Sequence, residues 1–357
     1  MPDFPIGGYD GGSVSVSRPM GRVTLADVAK AASVATMTVS RYLHGNPNIS
    51  PATARKVKAA IDRLGYRPNY AARVLMGQPS KVIGLILPNL ANPFFSLIAH
   101  CVQQTAHGRG YLVWIAATND DPTSDLELIE RMRDHHVDGL LLASSQGSNI
   151  PQEKMGGIPT VAIDRPLRGA GVDFVTVDDR AAAREAVSHL LQHGYKRIAI
   201  TGIDAQIRPI QERILGYQDA MRAAGLPPLP YIRCDDHASA LQICKTLRTG
   251  KRPVEALFPL NGDTSVLFLE AFEELRISIP RDLAFFSYGD IPLSRAIRPR
   301  LSAVQQPIEA MAEQATLRLL EQIEQKTKPS RARIKIPASL VIRESCGCTR
   351  SRSSRTS

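Results

Sequence analysis

Between positions 25 and 64 apolar residues recur at helical spacing in three short bursts. Leu25, Val28, Ala29 and Ala32 fall at i, i+3, i+4 and i+7, which lines one face of a helix. Thr24 stands just before them, where its side-chain oxygen can cap free backbone N–H groups. The pattern breaks at Ala32-Ser33-Val34 and resumes over 36–44. There Val39, Tyr42 and Leu43 face inward, and Thr36, Met37, Ser40, Arg41 and His44 are left on the outer side. The third burst is Ala54, Val57, Ile61 and Leu64, with Ser50 as its N-cap, Pro51 at the first helical position and Gly65 as its stop. Two short helices broken by a tight turn and backed by a third predict a helix–turn–helix. Such a motif presents the start of its second helix to base edges and its flanks to phosphates.

At Lys81 the rhythm changes. Residues 82–87, Val-Ile-Gly-Leu-Ile-Leu, form a continuous apolar run of the kind found in strands covered on both faces. Further runs at 111–116, 137–143, 160–163, 197–201, 256–258 and 282–286 alternate with helical stretches. That alternation predicts parallel sheets, and the segment is too long for one α/β layer, so two lobes are expected. The fold class is thus an N-terminal all-α helix–turn–helix domain followed by a two-lobed α/β core with parallel sheets.

Charge sharpens the first half of this reading. Residues 18–77 hold ten Lys or Arg against two acids, Asp27 and Asp62, a balance of +8. Residues 1–17 carry −2 and the tail 349–357 carries +3, so of a total of +10 only +1 is left for residues 78–348. Basic charge packed into one small helical domain is the footprint of phosphate binding, and it argues against a helical bundle with no partner.

The residues of this region resemble the lactose-repressor (LacI) family of bacterial transcription regulators. The likeness lies in Val-Thr-Leu-x-Asp-Val-Ala at 23–29, Thr-Val-Ser-Arg at 38–41, the Arg67-Pro68-Asn69 turn and Ala71-Ala72-Arg73-Val74-Leu75. It runs on to Leu340-Val341-Ile342-Arg343-Glu344-Ser345-Cys346-Gly347, covering about residues 22–348. The resemblance implies that Thr36 and Met37 read bases and that Arg41 reads a third, most naturally guanine through O6 and N7. It assigns Thr38, Ser40 and His44 to phosphates, and adds Thr24, Asn69 and Ala72 to the DNA contacts. Residues 69–76 look like the family's hinge helix, with Leu75 as the wedge that kinks the duplex in the minor groove. A helix of about eight residues has no stability of its own in water, so its order must come from a partner. Two departures are local. Ser33 stands where Gly is usual in the turn, and Ala35 replaces the usual Ser, which removes a cap.

In doubly wound folds ligands bind beyond the carboxyl ends of the strands. That rule selects residues 89–95, Asp164-Arg165, Asn261 and 287–290, with Arg213 opening the helix after the run at 197. Charged and amide side chains there suit a small polyhydroxylated or anionic ligand, and Phe94 or Phe95 suits a sugar face. The resemblance implies a core like a periplasmic sugar-binding protein, with Asp164, Arg213 and Asn261 on effector positions. Asn92, Phe95 and Asp290 complete the candidate effector set. Gly289 and Gly262 stand where many members have Asp, and Asp290 or bound water is expected to compensate. Loss of carboxylates with retention of Arg213 points toward a sugar acid as well as a sugar.

Expected domains are a disordered extension at 1–20, the helix–turn–helix at 21–68, a hinge helix and linker at 69–80, the effector-binding and dimerisation core at 81–348 and a basic disordered tail at 349–357. No apolar run reaches the ~20 residues a membrane span needs. The chain opens on Gly7-Gly8-Tyr9-Asp10-Gly11-Gly12 rather than a basic-then-apolar leader, and its five cysteines are odd in number. Both point to a reduced, cytoplasmic protein. Cys346-Gly347-Cys348 is one close pair without a second, so no metal or other cofactor is expected. There is no Gly-x-Ser-x-Gly elbow and no phosphate loop, and the adjacent His135 and His136 diverge on a helix, so an enzyme is not expected. The tail has no leucine heptads, which makes a homodimer on palindromic operator DNA the simplest assembly. The competing reading is a solute-binding receptor module without a gene-regulatory role.

Overall fold

The structure, a computed structural model, describes residues 23–43, 48–66, 79–146, 148–167, 169, 171–249, 253–326 and 329–348. The chain divides into two compact units, residues 1–78 and 79–357. His44, Asn69, Ala72 and Leu75 lie outside the described residues, as do the extension at 1–20 and the basic tail. Among the described residues no helix is long and apolar enough to cross a membrane.

The first unit contains α1 (Leu25–Ala32), α2 (Thr36–Leu43) and α3 (Pro51–Leu64). Thr24 caps α1 in a reciprocal box. Its hydroxyl accepts from the Asp27 N–H and donates to Asp27 Oδ2 at 2.7 Å, while its own N–H donates to the same oxygen at 2.8 Å. Ser33 ends α1 at φ 55° and ψ 47°, so the turn keeps the left-handed geometry that Gly would take at lower cost. Ser50 caps α3 through the Thr53 N–H and Gly65 closes it at φ 60°. Val28, Ala29, Ala32, Val39 and Val57 form the core, joined by Ala60 and Tyr66. Ala54, expected inside, is only half-buried.

The second unit holds two six-stranded sheets. Its strands are β1 (Val82–Leu87), β2 (Leu112–Ala117), β3 (Gly139–Leu142), β4 (Thr160–Ile163), β5 (Asp173–Val177), β6 (Ile198–Gly202), β7 (Ile232–Arg233), β8 (Ala256–Pro259), β9 (Ala284–Tyr288), β10 (Ser302–Gln305), β11 (Arg333–Ile336) and β12 (Ser339–Val341). The first sheet runs β11-β5-β4-β3-β1-β2 and the second β12-β10-β9-β8-β6-β7. Every pairing is parallel except β10 with β12. The helices are α4 (Pro93–Gly108), α5 (Pro122–Asp134), α6 (Asp179–Gln192), α7 (Arg208–Ala223), α8 (His237–Thr249), α9 (Gly262–Glu274) and α10 (Ile308–Gln325).

The strand order shows how the lobes are made. The chain leaves the first sheet after β5, returns after β10 through α10 to β11, and crosses again to β12. Three crossings therefore join the lobes, at residues 177–179, 305–308 and 336–339. Each lobe has its own apolar core, one around Ile83, Leu85, Val161 and Leu319, the other around Ile200, Tyr217, Phe258 and Phe286. Ala338, in the last crossing, packs against both. The sequence-based expectation of two lobes with parallel sheets holds. One placement is corrected: α7 opens at Arg208, so Arg213 lies in its second turn rather than at its start.

Candidate effector cleft and nucleic-acid face

On the first unit, burying Val39 turns the opposite side of α2 outward. Thr36, Met37 and Arg41 are exposed, and Met37 keeps 63 % of its surface open despite being a large apolar side chain. Thr38 and Ser40 flank them half-buried. An exposed Thr and Met at the start of the helix, with Arg41 one turn further on, offer apolar contact for a thymine methyl and a fork for guanine. Thr24 is placed differently from the expectation. Both of its donors go to Asp27, so it can reach a phosphate only by opening the cap of α1.

In the second unit a cleft of about 720 Å³ opens between the lobes at the strand carboxyl ends. Asn92, Phe95, Asp164, Arg213, Asn261 and Asp290 all line it, as do Asp263, Gly289 and Gln306. Its size falls in the range that suits a small ligand.

The second lobe's wall is a closed polar network. Arg213 Nε donates to Asp179 Oδ1 at 2.8 Å, and its Nη1 donates to the Leu260 carbonyl at 2.7 Å. The guanidinium lies 3.8 Å above the Tyr288 ring, whose hydroxyl donates to the same Asp179 oxygen at 2.6 Å. Burial by itself would lower the Arg213 pKa, but the charge of Asp179 holds it above the usual value. Burial and then Asp179 raise the Tyr288 hydroxyl well above its ordinary range. Arg213 therefore arrives at the cleft already neutralised.

Asp164 is the opposite case. It follows β4 at φ 62°, keeps 4 % of its surface and has a buried oxygen, Oδ1, with no hydrogen-bond partner among the described residues. Burial and the nearby Asp179 push its carboxyl up to about 6, against the pull of Arg165 and Arg213. The neighbouring Arg165 is taken by an ion pair with Asp120 and lies 5.5 Å above the Phe95 ring. Phe95 is itself buried in the first lobe's core, which leaves the half-buried Phe94 as the ring with more open surface. Asn92 caps α4 by accepting from the Phe94 N–H, and its Nδ2 crosses the cleft to Asp263 Oδ2 at 2.8 Å. Desolvation by the cleft walls raises Asp263, and the Asn92 hydrogen bond opposes that rise. Asn261 accepts from the Thr264 hydroxyl at 2.7 Å.

The expectation that Asp290 replaces a lost acceptor is corrected. Arg343 holds both of its oxygens, Nη1 to Oδ1 at 2.7 Å and Nη2 to Oδ2 at 2.8 Å, and the Ser294 hydroxyl adds a third donor. Burial opposes ionisation there, but these donors hold the carboxyl below its ordinary range. Asp290 borders the cleft with three donors already on its two oxygens. Gly289 (φ 104°) and Gly262 face one another: a Cβ on Gly289 would stand 4.0 Å from the Gly262 Cα and 3.6 Å from Gln306 Oε1. A Cβ on Gly262 would instead meet Ile291 Cγ2 at 3.2 Å, so only the space beside Gly289 is bordered by the Gln306 amide. Asp179, Asp263 and Gln306 had no place in the sequence-based site, and Tyr288 entered it only as part of the strand end 287–290. An acid directly after an apolar strand, as in Val177-Asp178-Asp179, was the available signal for the first of them.

Cys346-Gly347-Cys348 also differs from expectation, since it does have a second pair. His189 and His193, in the last turn and C-cap of α6, stand against the two sulfurs.

Comparison with known proteins agrees with this architecture. Residues 24–69 match the family described as bacterial regulatory proteins, lacI family, and residues 187–346 match the periplasmic binding protein-like domain. The ribose operon repressor of Halalkalibacterium halodurans is 30 % identical over 322 residues, covering 90 % of this chain and 96 % of its own. Catabolite control protein A of Priestia megaterium is 29 % identical over 330 residues, covering 90 % and 99 %. Among solved structures, the lac repressor dimer bound to operator and the anti-inducer ONPF shares the fold with a TM-score of 0.79 at 22 % identity, covering 91 % of this chain and 99 % of that one. The transcriptional regulator CelR in complex with cellobiose superposes at 0.66 with 28 % identity, covering 91 % and 100 %.

Proposed function

The chain belongs to the LacI family of bacterial regulatory proteins, a DNA-binding transcription regulator, and from that premise we propose that it is an effector-responsive repressor that grips a palindromic operator as a homodimer. Its effector is a small polyhydroxylated solute held between the lobes of the core. Effector binding changes lobe closure, and the linker at 69–80 passes that change to the DNA-binding unit. Such coupling needs an effector that binds the two states of the core unequally.

One observation carries the effector reading: Asp164 lines the cleft with a buried oxygen that has no partner among the described residues, while the neighbouring Arg165 and Arg213 are already paired. A carboxylate without an internal partner is costly unless a ligand supplies donors, and sugar hydroxyls are donors. The sugar-acid branch has weaker support. Arg213, the cation that suggested it, is matched by Asp179, and Arg165 is matched by Asp120. An anionic ligand would meet Asp164 with no spare cation from these two arginines. A neutral sugar or polyol fits better, and relatives named for ribose regulation or solved with cellobiose are in keeping with it.

A receptor module that keeps the lobes without regulating genes is the competing reading. The basic first unit and its exposed Thr36-Met37 edge weigh against it. A thermal-shift screen of neutral sugars, polyols and sugar acids tests the effector class, because a ligand that binds only the native form raises the melting point. Operator selection from random duplexes, repeated with and without each hit, tests regulation. Stabilisation by sugar acids alone would overturn the neutral-ligand reading. Absence of any enriched palindrome would favour the receptor.

A further inference from the structure

The two histidines and two cysteines at the end of α6 form a cluster that the cleft does not use. His189 Nε2 lies 3.3 Å from Cys346 Sγ and 3.7 Å from Cys348 Sγ, and His193 Nε2 lies 3.0 Å from Cys348 Sγ. One ligand atom from each of the four residues fits within 4.8 Å of all the others. Ligand atoms about 2.0–2.3 Å from a tetrahedral ion stand about 3.5 Å apart, and the three measured separations bracket that value.

We propose that His189, His193, Cys346 and Cys348 bind one divalent zinc ion in a tetrahedral Cys2His2 site that fastens the C-terminal segment to the end of α6. Several independent features fit the ion. Two histidines four residues apart share one face of a helix. Two thiolates and two neutral imidazoles balance the charge of Zn2+, so the complex can sit on the protein without a net charge. Ser302 prepares one sulfur. Its oxygen accepts from the Arg343 N–H at 2.8 Å, which turns its own proton toward Cys346 Sγ at 3.1 Å, the bond a thiolate ligand wants. Gly347 shapes the Cys-x-Cys turn: it has φ 97°, and a Cβ there would meet the Tyr195 hydroxyl at 2.5 Å. Cys346 is fully buried while His193 is exposed, so the site has both a dry side and an entry path. Metal loading releases the thiol protons to solvent and forms two Zn–S and two Zn–N bonds, with no change of oxidation state.

The test uses full-length protein kept reduced. After dialysis against trace zinc, metal analysis should find one ion per chain in the wild type. The exposed-side variants His193→Ala and Cys348→Ser should each bind zinc at least about tenfold more weakly while keeping wild-type circular dichroism. Cobalt(II) added to the metal-free protein should give the intense visible bands of a tetrahedral ion and a near-ultraviolet thiolate band, both lost in Cys348→Ser. A wild type that holds no more zinc than the His193→Ala or Cys348→Ser variant would overturn the proposal. So would a weak octahedral cobalt spectrum, or a Cys346–Cys348 disulfide that forms in preference to the metal complex.

Discussion

Arg213 and Asp179 meet at 2.8 Å with both side chains almost wholly out of water, and the pair spans two helices of the second lobe, α7 and α6. This makes Arg213 a structural residue as well as a cleft residue. Removing one member of a buried ion pair leaves the other charge unmatched, at a cost of about 3–5 kcal/mol. Arg213→Ala should therefore lower stability to urea by that order as well as weaken effector response. Asp179→Asn keeps one acceptor for the Tyr288 hydroxyl and should cost less. The paired change Arg213→Met with Asp179→Leu should regain much of the loss, since no charge is stranded. A double-mutant cycle in urea checks this, and additive losses would show that the two side chains are not coupled.

Asp164 predicts a pH signature of its own. In the unfolded chain its carboxyl titrates at the ordinary 3.8, and in the fold it is pushed up to about 6 by burial and then by Asp179. Below pH 3.8 the proton is held in both states and burial of the group costs little. Above pH 6 the group is ionised in both states and the cost is complete, on the order of 3 kcal/mol. Asp164→Asn should therefore raise the melting point of the ligand-free protein at neutral pH, with a gain that shrinks as pH falls toward 4. Hydroxyl donors from an effector favour the ionised form, so wild-type effector affinity should rise with pH through about 6 and then level off. Melting curves of both proteins across pH 4–8 decide the matter, and parallel curves would remove Asp164 from this role.

Asn92 and Asp263 join the lobes directly across the cleft mouth at 2.8 Å. A solvent-exposed hydrogen bond such as this contributes about 1 kcal/mol to whichever state makes it. Asp263→Ala should loosen closure and weaken effector binding by roughly fivefold, measured by calorimetry. Asn92→Ala should do the same and also cost α4 its N-cap, about 1 kcal/mol of stability. Tighter effector binding in Asp263→Ala would mean that the clasp opposes the liganded state.

These residues divide according to what a sequence can carry. The helix–turn–helix was legible because periodicity, caps and charge are local properties: Thr24, Ser33, Ser50 and Gly65 each sit where the local pattern put them. Most buried strands were legible as continuous apolar runs such as Val82–Leu87, but the interior strands β5 and β10, broken by polar residues, were not. Of the edge strands, β2 was read from the run at 111–116, and β7, β11 and β12 were not. Arg333–Ile336 alternates exposed and half-buried residues, and Ile232–Arg233 spans two residues, so neither carries a run long enough to read. Cleft positions Asp164, Arg213 and Asn261 came from strand ends and from resemblance. Their pairing state did not, because Asp179 with Arg213 and Asp290 with Arg343 are contacts between elements distant in the chain. The same limit hid the histidine partners of Cys346 and Cys348, which lie 155–159 residues away.

On the DNA-binding unit, exposure separates the residues proposed to read bases from those that hold the fold. Arg41 is exposed on α2, with Met37 one helical turn before it. Arg41→Ala should cost about 1–3 kcal/mol on the best operator and relax sequence choice at one base pair, with little effect on affinity for random DNA. Thr24→Ala should behave differently. Both Thr24 donors serve the Asp27 cap, so the change should lower the melting point by weakening α1, at about 1 kcal/mol, and leave sequence preference intact. Arg55 and Lys56 on α3 are exposed beyond the recognition helix. Replacing either with Ala should weaken all duplexes alike and reduce the salt slope by about one for each phosphate that is no longer neutralised. Fluorescence anisotropy with operator and scrambled duplexes over a range of salt separates the three cases. If Arg41→Ala weakened both duplexes equally and changed the salt slope, Arg41 would be a phosphate contact, and base reading by α2 would rest on Thr36 and Met37 alone.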